Sequence, residues 1–265
     1  MCRRNPVRPS VTPLEAREVP TVFISMSAPD TLVIVGDNGN DSVLLRDNGA
    51  GFINGYASGF GAFAVSGIRT IRIATNGGND LVGYALAGNL RAGQQRTVAV
   101  DLGSSCWWGG CDQFVGYLYN PFTGVGADLL AGSSLSITVL GGDGMDLISV
   151  NASRDTDVAA GARLSVNLAG GSGDDTLRTN WYGQNDGSVS LRADGGSGWD
   201  LVRGRLREQS GSTGQLSGVV AGGGGADDLA LFLFTENPAV EGRLDGGDGC
   251  DVAVVSLNVA VVGVP

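Results

Sequence analysis

A six-residue turn recurs eight times along this chain, always with glycine at its fourth position and aspartate at its sixth. The turns read G-D-N-G-N-D (36–41), T-N-G-G-N-D (75–80), W-W-G-G-C-D (107–112) and G-G-D-G-M-D (141–146). They continue as G-G-S-G-D-D (170–175), G-G-S-G-W-D (195–200), G-G-G-G-A-D (222–227) and G-G-D-G-C-D (246–251). Successive aspartates are 39, 32, 34, 29, 25, 27 and 24 residues apart. Short apolar runs flank the turns, among them T-L-V-I-V (31–35), T-I-R-I-A (70–74), L-S-I-T-V-L (135–140) and L-S-V-N-L (164–168) ahead of them. S-V-L-L (42–45), L-I-S-V (147–150) and D-V-A-V-V (251–255) follow them. Several alternate apolar with polar residues, which is the period of a half-buried strand.

A strand–turn–strand unit repeated at this spacing cannot bury its apolar face alone. Stacked copies pair their strands in parallel and share one core. The expected fold is all-β: a parallel β-solenoid, β-helix- or β-roll-like, of about eight coils with the Gly-Asp turns stacked on one corner. Strand pairing at about 4.8 Å per coil would make a rod roughly 40 Å long. Insertions lengthen the early coils around 46–66 and 113–131. Residues 1–20 form a separate, flexible Pro/Arg-rich lead, and 21–265 the solenoid domain.

Composition narrows the chemistry. The 265 residues carry a net charge of −10, every base is arginine, and there is no lysine or histidine. Lack of histidine excludes a Ser-His-Asp triad and an H-E-x-x-H zinc site. Lack of lysine excludes a Schiff-base lysine and a P-loop. An acidic chain without basic runs is a poor partner for nucleic acid. No stretch approaches the ~20 apolar residues of a membrane span. Of the four cysteines, Cys106 and Cys111 lie close enough in C-W-W-G-G-C to be a disulfide candidate in an oxidising compartment.

The turns point to divalent cations. Glycine lets the backbone bend so that carbonyls converge, and aspartate adds a carboxylate at a fixed offset. Calcium takes about six to eight oxygens at roughly 2.3–2.6 Å, so opposite ligands stand about 5 Å apart, close to the spacing of stacked strands. A column of aspartates with no cation would repel itself by about 1 to 3 kcal/mol per neighbouring pair. The alternative is a metal-free corner held by Asp–backbone hydrogen bonds.

The later turns resemble the G-G-x-G-x-D-x-U-x nonapeptide of hemolysin-type (repeats-in-toxin) calcium-binding proteins. G-G-D-G-M-D-L-I-S (141–149), G-G-S-G-D-D-T-L-R (170–178), G-G-S-G-W-D-L-V-R (195–203) and G-G-G-G-A-D-D-L-A (222–230) carry the pattern, and G-G-D-G-C-D-V-A-V (246–254) carries it with alanine at the apolar position. The resemblance implies several Ca2+ ions held by Asp146, Asp175, Asp200, Asp227 and Asp251. It adds the turn positions Asp143, Gly170, Ser172, Gly195, Ser197, Gly222, Gly224 and Asp248, with Asp41, Asp80 and Asp112 of the degenerate turns as weaker ligands. The family places its motif every nine residues; here it occurs once per coil, so ions would line one corner only. R-P-S-V-T-P-L-E-A-R-E-V-P (8–20) resembles a segment near the start of planctomycete exported surface proteins, which implies an extracellular or cell-surface location.

Two further features stay open. Arg203, Arg205 and Arg207 would share one strand face, either as a site for acidic polysaccharide or as a solvated face. Aromatic residues gather in the insertions (Phe52, Tyr56, Phe60, Phe63; Trp107, Trp108, Phe114, Tyr117, Tyr119, Phe122) and either pack them down or meet a sugar or protein partner. The expectation is a calcium-binding structural, scaffold or adhesive module, not an enzyme. The alternatives are a calcium-dependent polysaccharide-active β-helix enzyme and a metal-free structural solenoid.

Overall fold

The computed structural model describes residues 22–103, 111–237, 240–256 and 260–264. The lead at 1–20, Cys106, Trp107, Trp108 and Gly110 lie outside the described residues; Cys111 is exposed. The described chain is all-β, without helices. Its strands run β1 Phe23–Ala28, β2 Thr31–Val35, β3 Ser42–Asp47, β4 Ile53–Ala57, β5 Gly61–Val65, β6 Thr70–Ala74 and β7 Leu81–Leu86. Then come β8 Gln95–Asp101, β9 Gln113–Tyr117, β10 Ser134–Asp143, β11 Leu147–Ala152, β12 Arg163–Ser172, β13 Thr176–Gly183 and β14 Ser188–Gly198. The last six are β15 Leu201–Glu208, β16 Gln215–Gly225, β17 Asp228–Phe234, β18 Val240–Gly249, β19 Val252–Val255 and β20 Ala260–Val262.

The strands make two ten-stranded sheets, ordered β1-β2-β6-β8-β10-β12-β14-β16-β18-β20 and β19-β17-β15-β13-β11-β9-β7-β3-β4-β5. Successive strands of the chain from β6 to β20 alternate between the sheets, and each pairs in parallel with the strand one repeat away. This solenoid-like architecture follows from the repeat. Each fully described Gly-Asp turn carries the chain from one sheet to the other, as Gly141–Asp146 does between β10 and β11. Both sheets begin with antiparallel strands: β1 on β2, and the meander β3–β4–β5 that the 46–66 insertion forms.

Parallel register stacks like on like. Leu135 pairs with Leu164, Leu164 with Val189 and Val189 with Leu216. Because side chains alternate, the next inward residues stack the same way: Ile137 on Val166, and Val166 on Leu191. All of these are at most 3% exposed and belong to one continuous core. The other sheet contributes Ile148, Leu177, Val202 and Leu229. Burying each such side chain is worth about 1.5–3 kcal/mol. Of the insertion aromatics, Phe114 is core, whereas Tyr56, Phe60 and Phe122 are exposed.

Among the described residues, one ion pair is fully buried in the core. Arg96, inward on β8, is 1% exposed and pairs with Asp47, its Nε 2.5 Å from Oδ2. The same carboxylate accepts from the Tyr84 hydroxyl at 2.9 Å, and Arg96 also donates to the Ile68 carbonyl. Burial, with Asp47 beside it, pushes the Tyr84 phenol well above its ordinary pKa, so it stays a donor. Removing one partner of such a pair strands the other charge and costs about 3–5 kcal/mol. Asp47→Ala should therefore lower stability by about that amount in urea unfolding, and Tyr84→Phe by about 1 kcal/mol. A loss below 1 kcal/mol for Asp47→Ala would contradict the buried pair.

Candidate functional site

The turn aspartates form one unbroken hydrogen-bonded row. Asp41 N–H donates to Asp80 Oδ1 at 2.7 Å, and Asp80 N–H to Asp112 Oδ1 at 2.7 Å. The row continues from Asp112 to Asp146 at 3.1 Å, Asp146 to Asp175 at 2.7 Å and Asp175 to Asp200 at 2.8 Å. It ends with Asp200 to Asp227 at 2.8 Å and Asp227 to Asp251 at 3.0 Å. All eight aspartates are buried, none more than 7% exposed. Asp41, Asp80 and Asp112 of the degenerate turns thus join the same hydrogen-bonded row.

The row has a distinct start. Among the described residues no Gly-Asp turn precedes that of Asp41, and its Oδ1 accepts from the Ser58 hydroxyl at 3.1 Å instead. Its Oδ2 accepts from Asp37 N–H at 3.0 Å. Ser58, just beyond β4, therefore supplies the donor that a preceding turn would have given.

From Asp80 onward the second carboxylate oxygen is different. Oδ2 of Asp80, Asp112, Asp146, Asp175, Asp200, Asp227 and Asp251 is buried without a hydrogen-bond partner. From Asp146 onward, glycine at the first turn position makes room for it. A β-carbon on Gly170 would lie 2.3 Å from Asp175 Oδ2 and 2.4 Å from the Gly195 carbonyl oxygen. Gly141, Gly195, Gly222 and Gly246 repeat the pattern, each with its own aspartate Oδ2 and the carbonyl of a glycine from farther along the chain. Both oxygens lie so near one point that they are at most about 5 Å apart, the span across a calcium shell. The second and fourth positions need glycine for conformation, as Gly171 (φ 116°) and Gly173 (φ 122°) show.

Third-position residues stand elsewhere. Asp143, Ser172, Ser197, Gly224 and Asp248 stack in register. Asp143, Ser172, Ser197 and Asp248 are exposed and Gly224 partly so, while the Oδ2 row is buried. No three Asp, Glu, Cys or His side chains converge among the described residues, so any cation here would draw most of its ligands from carbonyls.

Burial raises the carboxyl pKa values. It pushes Asp80, Asp112, Asp146 and Asp200 from 3.8 to about 6, and Asp175 to about 7, against the lowering effect of the backbone donors. Neighbouring aspartates add to the rise, as Asp146 and Asp200 do for Asp175. Asp41 and Asp227 are raised for the same first reason.

A second side-chain row, not anticipated from the sequence, runs between the other ends of the strands. Asp128 N–H donates to Asn89 Oδ1, Asp157 N–H to Asp128 Oδ1 and Gln184 N–H to Asp157 Oδ1, at 3.0, 3.1 and 2.7 Å. A signal was present: Asp128 and Asp157 are 29 residues apart, as are Asp146 and Asp175.

Compared with protein-family models, curated proteins and solved structures, the chain matches none.

The pH dependence follows from the raised values. A carboxyl held above its unfolded value favours the fold when protonated. That contribution is complete below pH 3.8 and is lost as pH rises through about 6 to 7. Chelator-treated protein should melt at a lower temperature at pH 8 than at pH 5. A higher melting temperature at pH 8 would contradict the buried, unpartnered Oδ2 row.

Proposed function

We propose that this chain is an extracellular calcium-binding β-solenoid of about eight coils, resembling the hemolysin-type repeat proteins and serving as a structural, scaffold or adhesive module. The observation that carries the reading is the row of buried, unpartnered Oδ2 atoms, five of which, from Asp146 to Asp251, each lie beside the carbonyl of a glycine farther along the chain. An unpartnered buried carboxylate oxygen is costly, and either a proton or a cation removes that cost. Outside a cell, near neutral pH and with calcium abundant, the cation is favoured. The donors fit calcium, since all are oxygens. Asp146, Asp175, Asp200, Asp227 and Asp251 would hold the ions together with carbonyls of Gly170, Gly195, Gly222, Gly246 and Gly263. Bound calcium would neutralise the column and lock each turn to the next.

One observation favours the metal-free reading. Oδ1 of every aspartate from Asp80 to Asp251 already accepts a backbone N–H, and those bonds hold the turns without any ion. Aspartate-to-asparagine substitution separates the two readings. Asparagine keeps the Oδ1 acceptor and sets an N–H2 donor where Oδ2 stood, facing the glycine carbonyl.

Calorimetric titration of chelator-treated protein at pH 7.5 should show several calcium ions bound, with a rise in melting temperature. Asp175→Asn/Asp200→Asn should bind fewer ions yet melt no lower than the parent in chelator. Absence of calcium heat from a folded parent would leave the metal-free corner as the answer.

A further inference from the structure

The second sheet carries a face whose chemistry differs from the rest of this acidic chain. On β13, β15 and β17 the outward residues align in register. Arg178 pairs with Arg203, Asn180 with Arg205 and Arg205 with Phe232, while Tyr182 pairs with Arg207 and Arg207 with Phe234. Four arginines and three aromatic rings thus share three adjacent strands. Arg203, Arg205 and Arg207, two residues apart on one strand, are about 6.6 Å from one to the next. All four arginines are exposed.

Two of these arginines lie over rings rather than against carboxylates. The Arg205 guanidinium is 5.4 Å from the Phe234 ring centroid, and that of Arg207 is 5.5 Å from the Tyr182 centroid. Phe232 and Phe234 stack with centroids 6.1 Å apart and planes 14° from parallel. Among the described residues, Arg203 alone of the four reaches a carboxylate, Asp228 at 3.2 Å. The nearby glutamates have other partners. Glu208 is buried and accepts from Asn185 Nδ2 at 2.7 Å and from the Thr235 hydroxyl, and exposed Glu236 accepts from the Ser210 hydroxyl at 2.9 Å. A guanidinium resting on a ring keeps its in-plane N–H donors free for an anion. Beside it opens a depression of about 970 Å³, lined in part by Tyr182, Arg207, Phe232, Phe234 and Glu236.

We propose that this face binds an acidic polysaccharide, with Arg205 and Arg207 meeting its carboxylate or sulfate groups and Tyr182, Phe232 and Phe234 meeting its sugar rings. The site is an open face along a sheet, with charged and apolar contacts alternating across strands, which suits an extended polymer better than a small ion. Charge density selects the polymer. Duplex nucleic acid presents one charge per about 1.7 Å to a protein of net charge −10, whereas a polysaccharide spaces its charges by whole sugar units. The proposal names a partner for the adhesive role above but rests on different residues from the calcium reading.

Chondroitin sulfate and neutral dextran are the probes, used in calorimetry and affinity electrophoresis with calcium present and circular dichroism confirming the fold. Binding of chondroitin sulfate but not dextran, weakened at least about tenfold in Arg205→Gln/Arg207→Gln and unchanged in Arg72→Gln on the other sheet, is the expected result. Phe234→Ala, which keeps both charges, should weaken binding too. A folded parent that ignores chondroitin sulfate, or a double variant that binds as well as the parent, would overturn the proposal. Failure of the calcium reading would appear in the calcium titration and leave the glycan comparison intact.

Discussion

A backbone N–H donating to the carboxylate of the next turn's aspartate is the contact on which the rest of this structure depends. Each such bond is charge-assisted and worth about 1.5–3 kcal/mol net. Seven of them in series, from Asp41 to Asp251, tie turns that are 24 to 39 residues apart in sequence. They hold the parallel register that stacks Leu135, Leu164, Val189 and Leu216 in one line. To make them, each aspartate must turn inward, and turning inward buries the other oxygen. The raised carboxyl pKa values, the need for glycine at the first position of the later turns and the proposed cation binding all descend from that one geometry.

Much of this was legible in the sequence, because the turn imposes strict residue identities. Glycine at four and aspartate at six reveal the repeat, and flanking alternation places β2 at 31–35 and β6 at 70–74 to the residue. Less legible was what each carboxylate does. The residues show a column of aspartates but not that one oxygen is satisfied and the other is not. Nor do the residues show depth: Asp143 and Asp248, read as ligands from their place in the turn, are exposed, whereas the sixth-position aspartates are buried. The second row, through Asn89, Asp128 and Asp157, was hidden for another reason: no glycine frame marks it, and only the spacing of Asp128 and Asp157 betrays it. Arg96 was hidden because a charge in an alternating strand reads as surface, and its partner Asp47 is 49 residues away.

The turns between the two sheets carry the aspartate row, while the outward face of the second sheet carries arginines and aromatic rings. Its arginines and rings cost the core nothing, since alternation sends Val202, Gly204 and Leu206 inward as Arg203, Arg205 and Arg207 go outward. The antiparallel strands at the start of both sheets pair with β2 and β3, leaving the short strands β1 and β5 outermost, and Ser58 on the way through them completes the aspartate row.

The most direct test of this account is a crystal structure of the protein grown at pH 7.5 with calcium replaced by terbium, located by its anomalous scattering. The account predicts peaks between adjacent turns, beside Oδ2 of the aspartates from Asp146 to Asp251, with every N–H to Oδ1 bond intact. Peaks confined to the exposed carboxylates of Asp143 and Asp248, or none along the row, would contradict it and leave the aspartates as hydrogen-bonded corners alone.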